Sequence, residues 1–503
     1  MRQSKVFVIS FGLVFFSKLI FANDNWFADT SIIEAKEKQL VSFLFVSQNL
    51  KSPASMFGHT LIVLHNNEPP EPDAIVVEFL GDTSRIAFAK TKALLGTIPG
   101  HYKLNRFLYK QREYELENRD LWIYRIKLNG TQRQRFFNQL ENDLEKEFAY
   151  NFSFTNCSYF ILKLLNHSAE ENRRPIIFPL VLPVHTLRIA NNIFEFQSVQ
   201  YMPSTQRKLI NAYEKLNNKE KKYFANVLSG LKVDNKLVEA SHIRTALSLA
   251  INYRSAREKD KNKRNTLFYL KKTYHTPLLA RYIGKNPLYS AGETSINMGR
   301  SLGRNEWVLS IKPFQRDFFS AVADGLETSY LDILKVNMTL EDNRFGVRSF
   351  NLVKLHSVSP SSLFAEGFNR YIEASYYDRS NLSQHSQAHE SVIRMGGGFS
   401  SKLSKRFKIA SMPYLGIRIA KTDTAKSNYV DLGIVSSMSA WFSDNFRIET
   451  VHTHYFNSPF DFNEIIHASA IVDLSKHFSL ATKLEVSEKI VNNGLMIIGV
   501  FKL

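Results

Sequence analysis

The chain of 503 residues holds a single cysteine, Cys157. One thiol excludes an intramolecular disulfide framework and any zinc or iron–sulfur site built on cysteine. Long apolar runs are scarce as well. After the first 22 residues no stretch reaches the ~18 residues that a membrane-crossing helix needs, which excludes a polytopic helical membrane protein. Acidic residues are in deficit, 47 against 65 Lys+Arg, leaving a net charge of +18. There is no His-Glu-x-x-His, no dinucleotide fingerprint and no EF-hand loop. Gly396-Gly397-Gly398 lacks the Lys-Ser/Thr of a phosphate loop, and His452-Thr453-His454 has no evident third ligand. Neither a cofactor nor a metal is expected. What remains is the composition of a folded protein, 44% hydrophobic and 22% charged, long enough for about three domains.

The N-terminus reads as an export signal over residues 1–22. Arg2 and Lys5 form its charged start, Val6–Phe16 its apolar core and Ala22 a small residue for cleavage. The alternative is an uncleaved anchor, for which the run is short. Residues 23–204 mix strand-like runs (Leu40–Val46, Thr60–Leu64, Ala74–Leu80, Leu121–Leu128) with helical ones (Gln132–Glu147, Ser158–Leu165), an α+β texture.

Residues 205–287 read as a basic helical segment. Between 205 and 285 there are 19 Lys+Arg against 6 Asp+Glu, densest at Lys219–Lys222 and Arg257–Arg264. In an exported protein such a surplus points to anionic lipid phosphates or peptidoglycan rather than to nucleic acid, unless it is only a solvated face.

Residues 288–503 alternate in hydrophobicity with a period of two. Leu334, Val336, Met338 and Leu340 oppose Lys335, Asn337, Thr339 and Glu341; Phe478, Leu480, Leu484 and Val486 oppose Ser479, Lys483, Glu485 and Ser487. Turn signals such as Ser443-Asp444-Asn445 and Asn492-Asn493-Gly494 separate about twelve such segments. An exported chain with this pattern predicts an antiparallel outer-membrane β-barrel with outer-membrane lipid as its partner. A soluble sheet with one wet face alternates in the same way.

Two segments carry chemistry. Ser52 to Thr60 contains Ser55, Gly58 and His59 and leads into a strand. Phe154 to Phe160 contains Asn156 and Cys157 and leads into a helix. An N-cap at Thr155 or Asn156 puts Cys157 in the first helical turn, where the helix dipole favours thiolate. His59 is then the candidate base, and the Cys157 backbone N–H a candidate oxyanion donor. A third group should orient the imidazole. Glu78 lies nearly opposite His59 if the two runs form a hairpin, with His65 and Asp73 as alternatives. Gly58 suggests a close approach or a positive φ beside His59. The bland alternative for Cys157 is a buried, inert thiol.

The stretch Ser52 to Thr60, the residues Arg112-Glu113-Tyr114 with Glu117-Asn118-Arg119-Asp120-Leu121-Trp122 and Tyr124, and Asn156-Cys157-Ser158-Tyr159 together resemble the Lnb N-terminal periplasmic domain family of bacterial exported proteins. The resemblance covers roughly Leu40 to Ala169. The order of histidine on a strand before Asn-Cys on a helix is also similar to permuted papain-like thiol enzymes of the lecithin:retinol acyltransferase-like group. That resemblance implies Cys157 as nucleophile and His59 as base of a hydrolase or acyltransferase acting on amide or ester bonds, and it transfers the third residue poorly. Ser55, Asn156, Tyr114 and Arg119 are the substrate-binding candidates. Wall-peptide amides and lipid-linked acyl groups are the expected substrates, with the thiol domain in the periplasm. The rival expectation is a non-catalytic envelope-binding module whose barrel, as anchor or channel, is the working part.

Overall fold

The computed structural model describes residues 31–48, 57–82, 92, 97–152, 154–169, 181–229, 241–258, 260, 267, 286–289, 294–301, 306–316, 328–341, 344–358, 368–379, 388–404, 406–422, 426–443, 445–457, 463–475, 477–487 and 496–502. The export signal over 1–22, Ser55, and the turn residues Asp444 and Asn492-Asn493-Gly494 lie outside the described residues, as do 259 and 261–264 of the second basic patch.

The N-terminal part is an antiparallel sheet covered by helices. Its elements are α1 (Ile32–Glu37), β1 (Leu40–Val46), β2 (His59–His65), β3 (Ile75–Gly81), β4 (Ile98–Arg106), α2 (Phe107–Leu116), β5 (Leu121–Ile126), α3 (Gly130–Leu144), β6 (Phe148–Tyr150), α4 (Cys157–Ser168), α5 (Pro183–Phe194) and β7 (Ser198–Met202). The strand order is β6-β4-β3-β2-β1-β5-β7. One face buries Leu44, Val46, Leu61, Val63 and Val76 against Phe107 and Tyr114 of α2. The other buries Phe43, Phe45, Ile62, Leu64, Val77 and Phe79 against α3, α4 and α5. Double coverage explains why β1 and β2 are unbroken apolar runs in the sequence and do not alternate.

The helices α6 (Thr205–Glu214), α7 (Asn218–Leu228) and α8 (Ser241–Ser255) follow. They enclose a small core of their own around Leu209, Phe224, Ile243, Leu247 and Ile251. Lys219 and Lys222 are exposed on α7. Arg257 is not a free surface cation. Its Nη2 donates to the carbonyls of Glu115 (2.7 Å) and Leu116 (3.1 Å) and to Asn118 Oδ1 (2.7 Å), so it closes the C-terminal end of α2, where a cation is favoured by the dipole.

The C-terminal part is a closed barrel. Its strands are β8 (Ser295–Ser301), β9 (Glu306–Lys312), β10 (Phe314–Arg316), β11 (Thr328–Glu341), β12 (Arg344–Val358), β13 (Phe368–Asp378), β14 (Ala388–Ser404), β15 (Phe407–Thr422), β16 (Lys426–Trp441), β17 (Phe446–Tyr455), β18 (Glu464–Asp473), β19 (Phe478–Ser487) and β20 (Met496–Lys502). Both β9 and β10 pair with β11 and are separated by Pro313 alone, so they form one wall strand and the ring has twelve. The ring closes through β20–β8, and Ser295 sits opposite Lys502, which puts the chain's entry and its C-terminal strand end at one rim.

On β15 the side chains of Ile409, Leu415, Ile417 and Ile419 are exposed, while Lys408, Met412, Tyr414 and Arg418 between them are buried in the lumen. That is the apolar-out, polar-in signature of a barrel whose solvent is lipid. No described helix is long and apolar enough to cross a membrane.

Candidate thiol–imidazole site

Helix α4 begins where its cap requires. Asn156 has extended backbone geometry, and its Oδ1 accepts the N–H groups of Ser158 (3.0 Å) and Tyr159 (3.2 Å). Its Nδ2 donates to the carbonyls of Phe152 (2.9 Å) and Val181 (2.8 Å). All of Asn156's polar capacity therefore goes into building the turn, and it positions the site from beneath. The Cys157 N–H is the first-turn donor that this cap does not take, and it is the donor an oxyanion would need. Stacking of Phe160 on Phe79 at 3.8 Å and a bond from Tyr102 Oη to the Phe160 carbonyl (2.8 Å) fix the helix against the sheet.

On β2, Gly58 carries a φ of +97, and a Cβ there would stand 2.8 Å from the Val46 carbonyl. Glycine is needed for that bend, which delivers His59 at the strand's first position. Thr60 Oγ1 donates to Ser158 Oγ (2.9 Å), tying β2 to α4 one residue beyond each of the two site residues. The result is a His59 Nδ1 to Cys157 Sγ distance of 2.9 Å between residues 98 apart in sequence. Both side chains keep partial exposure.

The electrostatics favour a neutral pair. Burial pushes the Cys157 thiol up to about 11, against the opposing pull of Ser158, the Thr60 backbone and Arg119. Burial, and then the charges of Arg119 and Lys110, hold His59 well below the usual histidine range. The helix terminus thus does not produce the acidic thiol that the sequence position suggests. In the tautomer that carries its proton on Nε2, a neutral His59 accepts the S–H at Nδ1; in the other, Nδ1–H donates to sulfur.

The orienting candidates are occupied elsewhere. The β2–β3 ladder pairs Ile62 with Val77, so continuing it places Glu78 beside Leu61, not His59. The buried Glu78 carboxylate accepts from Asn105 Nδ2 and pairs with Lys110 Nζ at 2.8 Å. His65 is held by Ser42 Oγ (2.7 Å) and the Asn67 carbonyl (2.8 Å). Asp73 pairs with Lys38 at 2.8 Å. Among the binding candidates, Tyr114 is buried in the core under the sheet.

Arg119 is different. Its Nε donates to the Ser47 carbonyl (2.6 Å), and its Nη1 donates to Glu117 Oε2 (3.1 Å). Its Nη2 is buried with no hydrogen-bond partner among the described residues. Val46 pairs with both His59 and Leu121, so Arg119 enters β5 at the same end of the sheet as the imidazole. Lys110 carries no sequence signal, since nothing in its local pattern marks a helix lysine that points inward.

Residues 27–192 match the family described as the Lnb N-terminal periplasmic domain. No curated protein matches the chain. Solved structures similar to it include a KdgM porin in complex with disordered oligogalacturonate, at 10% identity over 41% of this chain and 96% of that one, with a TM-score of 0.23. A NanC porin is similar at 7% identity over 42% and 99%, TM-score 0.25. A bacterial polysaccharide outer-membrane secretin is similar at 7% identity over 43% and 99%, TM-score 0.22. The closed barrel, apolar outside and charged within, defines an outer-membrane protein, and the matched N-terminal domain lies in the periplasm.

Proposed function

We propose that the N-terminal domain is a thiol hydrolase or acyltransferase, of permuted papain-like arrangement, held at the outer membrane by the barrel. The observation that supports this reading is the 2.9 Å contact of His59 Nδ1 with Cys157 Sγ, made at a helix N-terminus whose own cap leaves the Cys157 N–H available. In the first half-reaction the Cys157 proton passes to Nδ1 as sulfur adds to an acyl carbon, and the Cys157 N–H faces the developing oxyanion. The imidazolium then returns the proton to the departing amine or alcohol, leaving a thioester. Water or an acceptor amine attacks that thioester, His59 takes the proton and gives it back to sulfur, and the free thiol is restored.

Wall-peptide amides and lipid-linked acyl groups are the substrates this chemistry suits, and the exposed Lys219 and Lys222 are suited to anionic envelope polymers or lipid phosphates. The test is acyl-enzyme capture on the full chain in lipid, offering muropeptides and diacyl phospholipids in separate arms and reading the mass of the Cys157 peptide. An acyl adduct that vanishes in Cys157→Ser and in His59→Ala is the expected result. Absence of adduct and turnover in both arms overturns the reading. The neutral, raised thiol is the observation that favours the second reading, a non-catalytic envelope-binding module anchored by the barrel.

A further inference from the structure

Twelve strands is an ambiguous ring size. Eight strands leave a lumen that side chains fill, and sixteen to eighteen leave an aqueous channel. The side chains therefore decide whether this ring conducts.

Those side chains form a crossing lattice of charge. On the wall formed by β13 to β16, Arg394 pairs with Glu373 (2.8 Å) and Asp431 (2.6 Å), and Arg418 pairs with Asp431 (2.6 Å) and Glu390 (3.4 Å). Lys354 of β12 adds a contact to Glu373 at 3.2 Å. The bridges then leave the wall. Arg379, at the end of β13, holds Glu390 (2.8 Å) and also reaches Glu485 on β19 (3.4 Å). Counted around the ring, β13 and β19 are six strands apart in either direction, so this contact joins opposite walls. Arg348 of β12 reaches the same Glu485 at 3.8 Å and Glu306 of β9 at 3.2 Å.

The exposure of these groups is decisive. Arg418, Asp431 and Glu373 are 0% exposed, Arg394 and Glu390 2% and Arg379 5%, while the side chains of Arg348, Glu485 and Lys354 at the margin of the lattice keep 19%, 16% and 24%. In a water-filled pore the lining charges are hydrated and would show accessible surface. Charges that no water-sized sphere can touch have no water column beside them. Five cations (Arg348, Lys354, Arg379, Arg394, Arg418) face five anions (Glu306, Glu373, Glu390, Asp431, Glu485), so the charges of the lattice sum to zero. Tyr414 and Tyr455 rings pack on the guanidinium groups of Arg394 and Arg418 and fill the space between them. Glu485 and Arg379 stand at the strand ends remote from the rim that carries Ser295 and Lys502, so the seal is on the extracellular half.

We infer that the barrel is sealed by this lattice and serves as a non-conducting membrane anchor, with Arg379–Glu485 and Arg348–Glu485 as the bridges that shut it. The inference stands whether or not Cys157 is catalytic.

The experiment is single-channel recording of the purified full chain in planar bilayers in molar salt. The wild type should give no discrete conductance steps, and the triple variant Arg348→Ala, Arg379→Ala, Glu485→Ala should give steps in protein that retains the heat-modifiable gel mobility of a folded barrel. If that variant does not fold, Arg379→Ala alone takes its place, with the same expectation. Stable steps from the wild type overturn the inference outright. A silent wild type beside a folded, silent bridge variant overturns the assignment of the seal to these bridges.

Discussion

At the scale of single residues, the issue is what Cys157 and His59 do with one proton. A preformed thiolate–imidazolium pair alkylates rapidly at neutral and mildly acid pH and loses reactivity when its histidine is removed. The neutral pair here behaves otherwise. With the thiol pushed up to about 11, alkylation of folded protein should be slow at pH 7 and climb steadily through pH 9 to 10. Any acyl-transfer activity should keep its acid limb below pH ~6.5, because His59 must be neutral to accept the proton and its own titration is pushed below that ordinary value. Iodoacetamide rates and a kcat/KM profile over pH 4–10 check both. Fast labelling at pH 6 would overturn the neutral pair. Arg119 contributes to both groups. Arg119→Gln removes a charge that opposes His59 protonation, so the acid limb should move upward, whereas a purely structural arginine would lower activity at all pH values alike. The sequence offered Cys157 and His59 as candidate nucleophile and base from residue types in motifs, but not the protonation of the pair. That depends on burial and on Arg119 and Lys110, which arrive from other elements.

At the scale of elements, the helix that carries Cys157 and the bend that carries His59 were both legible, because each rests on local chemistry. An Asn before a helical run is a cap wherever it occurs, and a Gly before a strand-leading His is a bend. Asn156→Ala strips four hydrogen bonds from one turn and should cost about 1–2 kcal/mol from the cap alone, read from chemical denaturation. Gly58→Ala meets the Val46 carbonyl and an unfavourable φ together, so it should weaken activity by displacing His59 even where the fold survives. A substitution at Gly130, where a Cβ meets nothing within 4 Å, is the control that should leave activity unchanged. The register of β2 with β3 was harder. Setting Glu78 opposite His59 takes a two-residue slip of the inferred hairpin, since the ladder continues from Ile62–Val77 to Leu61, and the carboxylate goes to Asn105 and Lys110. The barrel shows the same limit. Alternation from Leu334 onward reads cleanly, yet Leu334 has a φ of 55, and the register of β12 on β13 shifts between Asn351 and Val353. Asp332 and Lys335, three apart, therefore meet at 3.0 Å on one side of the sheet, a phase change that a period of two cannot foresee.

At the scale of the whole molecule, the sequence divides the chain by texture into three parts after its export signal. The packing joins them: Arg257 ties the helical segment to α2, and the barrel wall enters the core of the N-terminal domain. The apolar core of the thiol domain includes Leu331, which is fully buried, and Leu355, with Ile333, Val353 and Ile372 packed against it. These residues belong to β11, β12 and β13 and pair across the ladders as Leu331–Leu355 and Leu355–Ile372, and Ile372 pairs in turn with Met395, which is exposed on the outer wall. They are therefore outward-facing positions that would meet lipid in a bare barrel, and here protein covers them. Tyr124 Oη on β5 also donates to Asn286 Oδ1 (2.5 Å), nine residues ahead of the barrel's first strand. Leu331 and Leu355 lie toward the rim where the chain enters at Ser295, so the domain is seated on the outer wall at its periplasmic edge, the level of the inner-leaflet headgroups. Leu355→Glu puts a carboxylate into that dry contact without touching the site or the lumen lattice. Its burial has no partner to offset it, so the contact should open rather than accept the charge. The expected outcome is faster amide exchange and earlier proteolytic cleavage across 31–202, with the barrel's heat-modifiable mobility unchanged. A variant with wild-type exchange in the domain would mean that the covered wall is not what holds the two parts together. On the proposed acyl-transfer reading, a domain seated in this way would meet membrane-borne acyl groups at a fixed height, so Leu355→Glu should depress their turnover more than that of soluble peptides offered to the same protein.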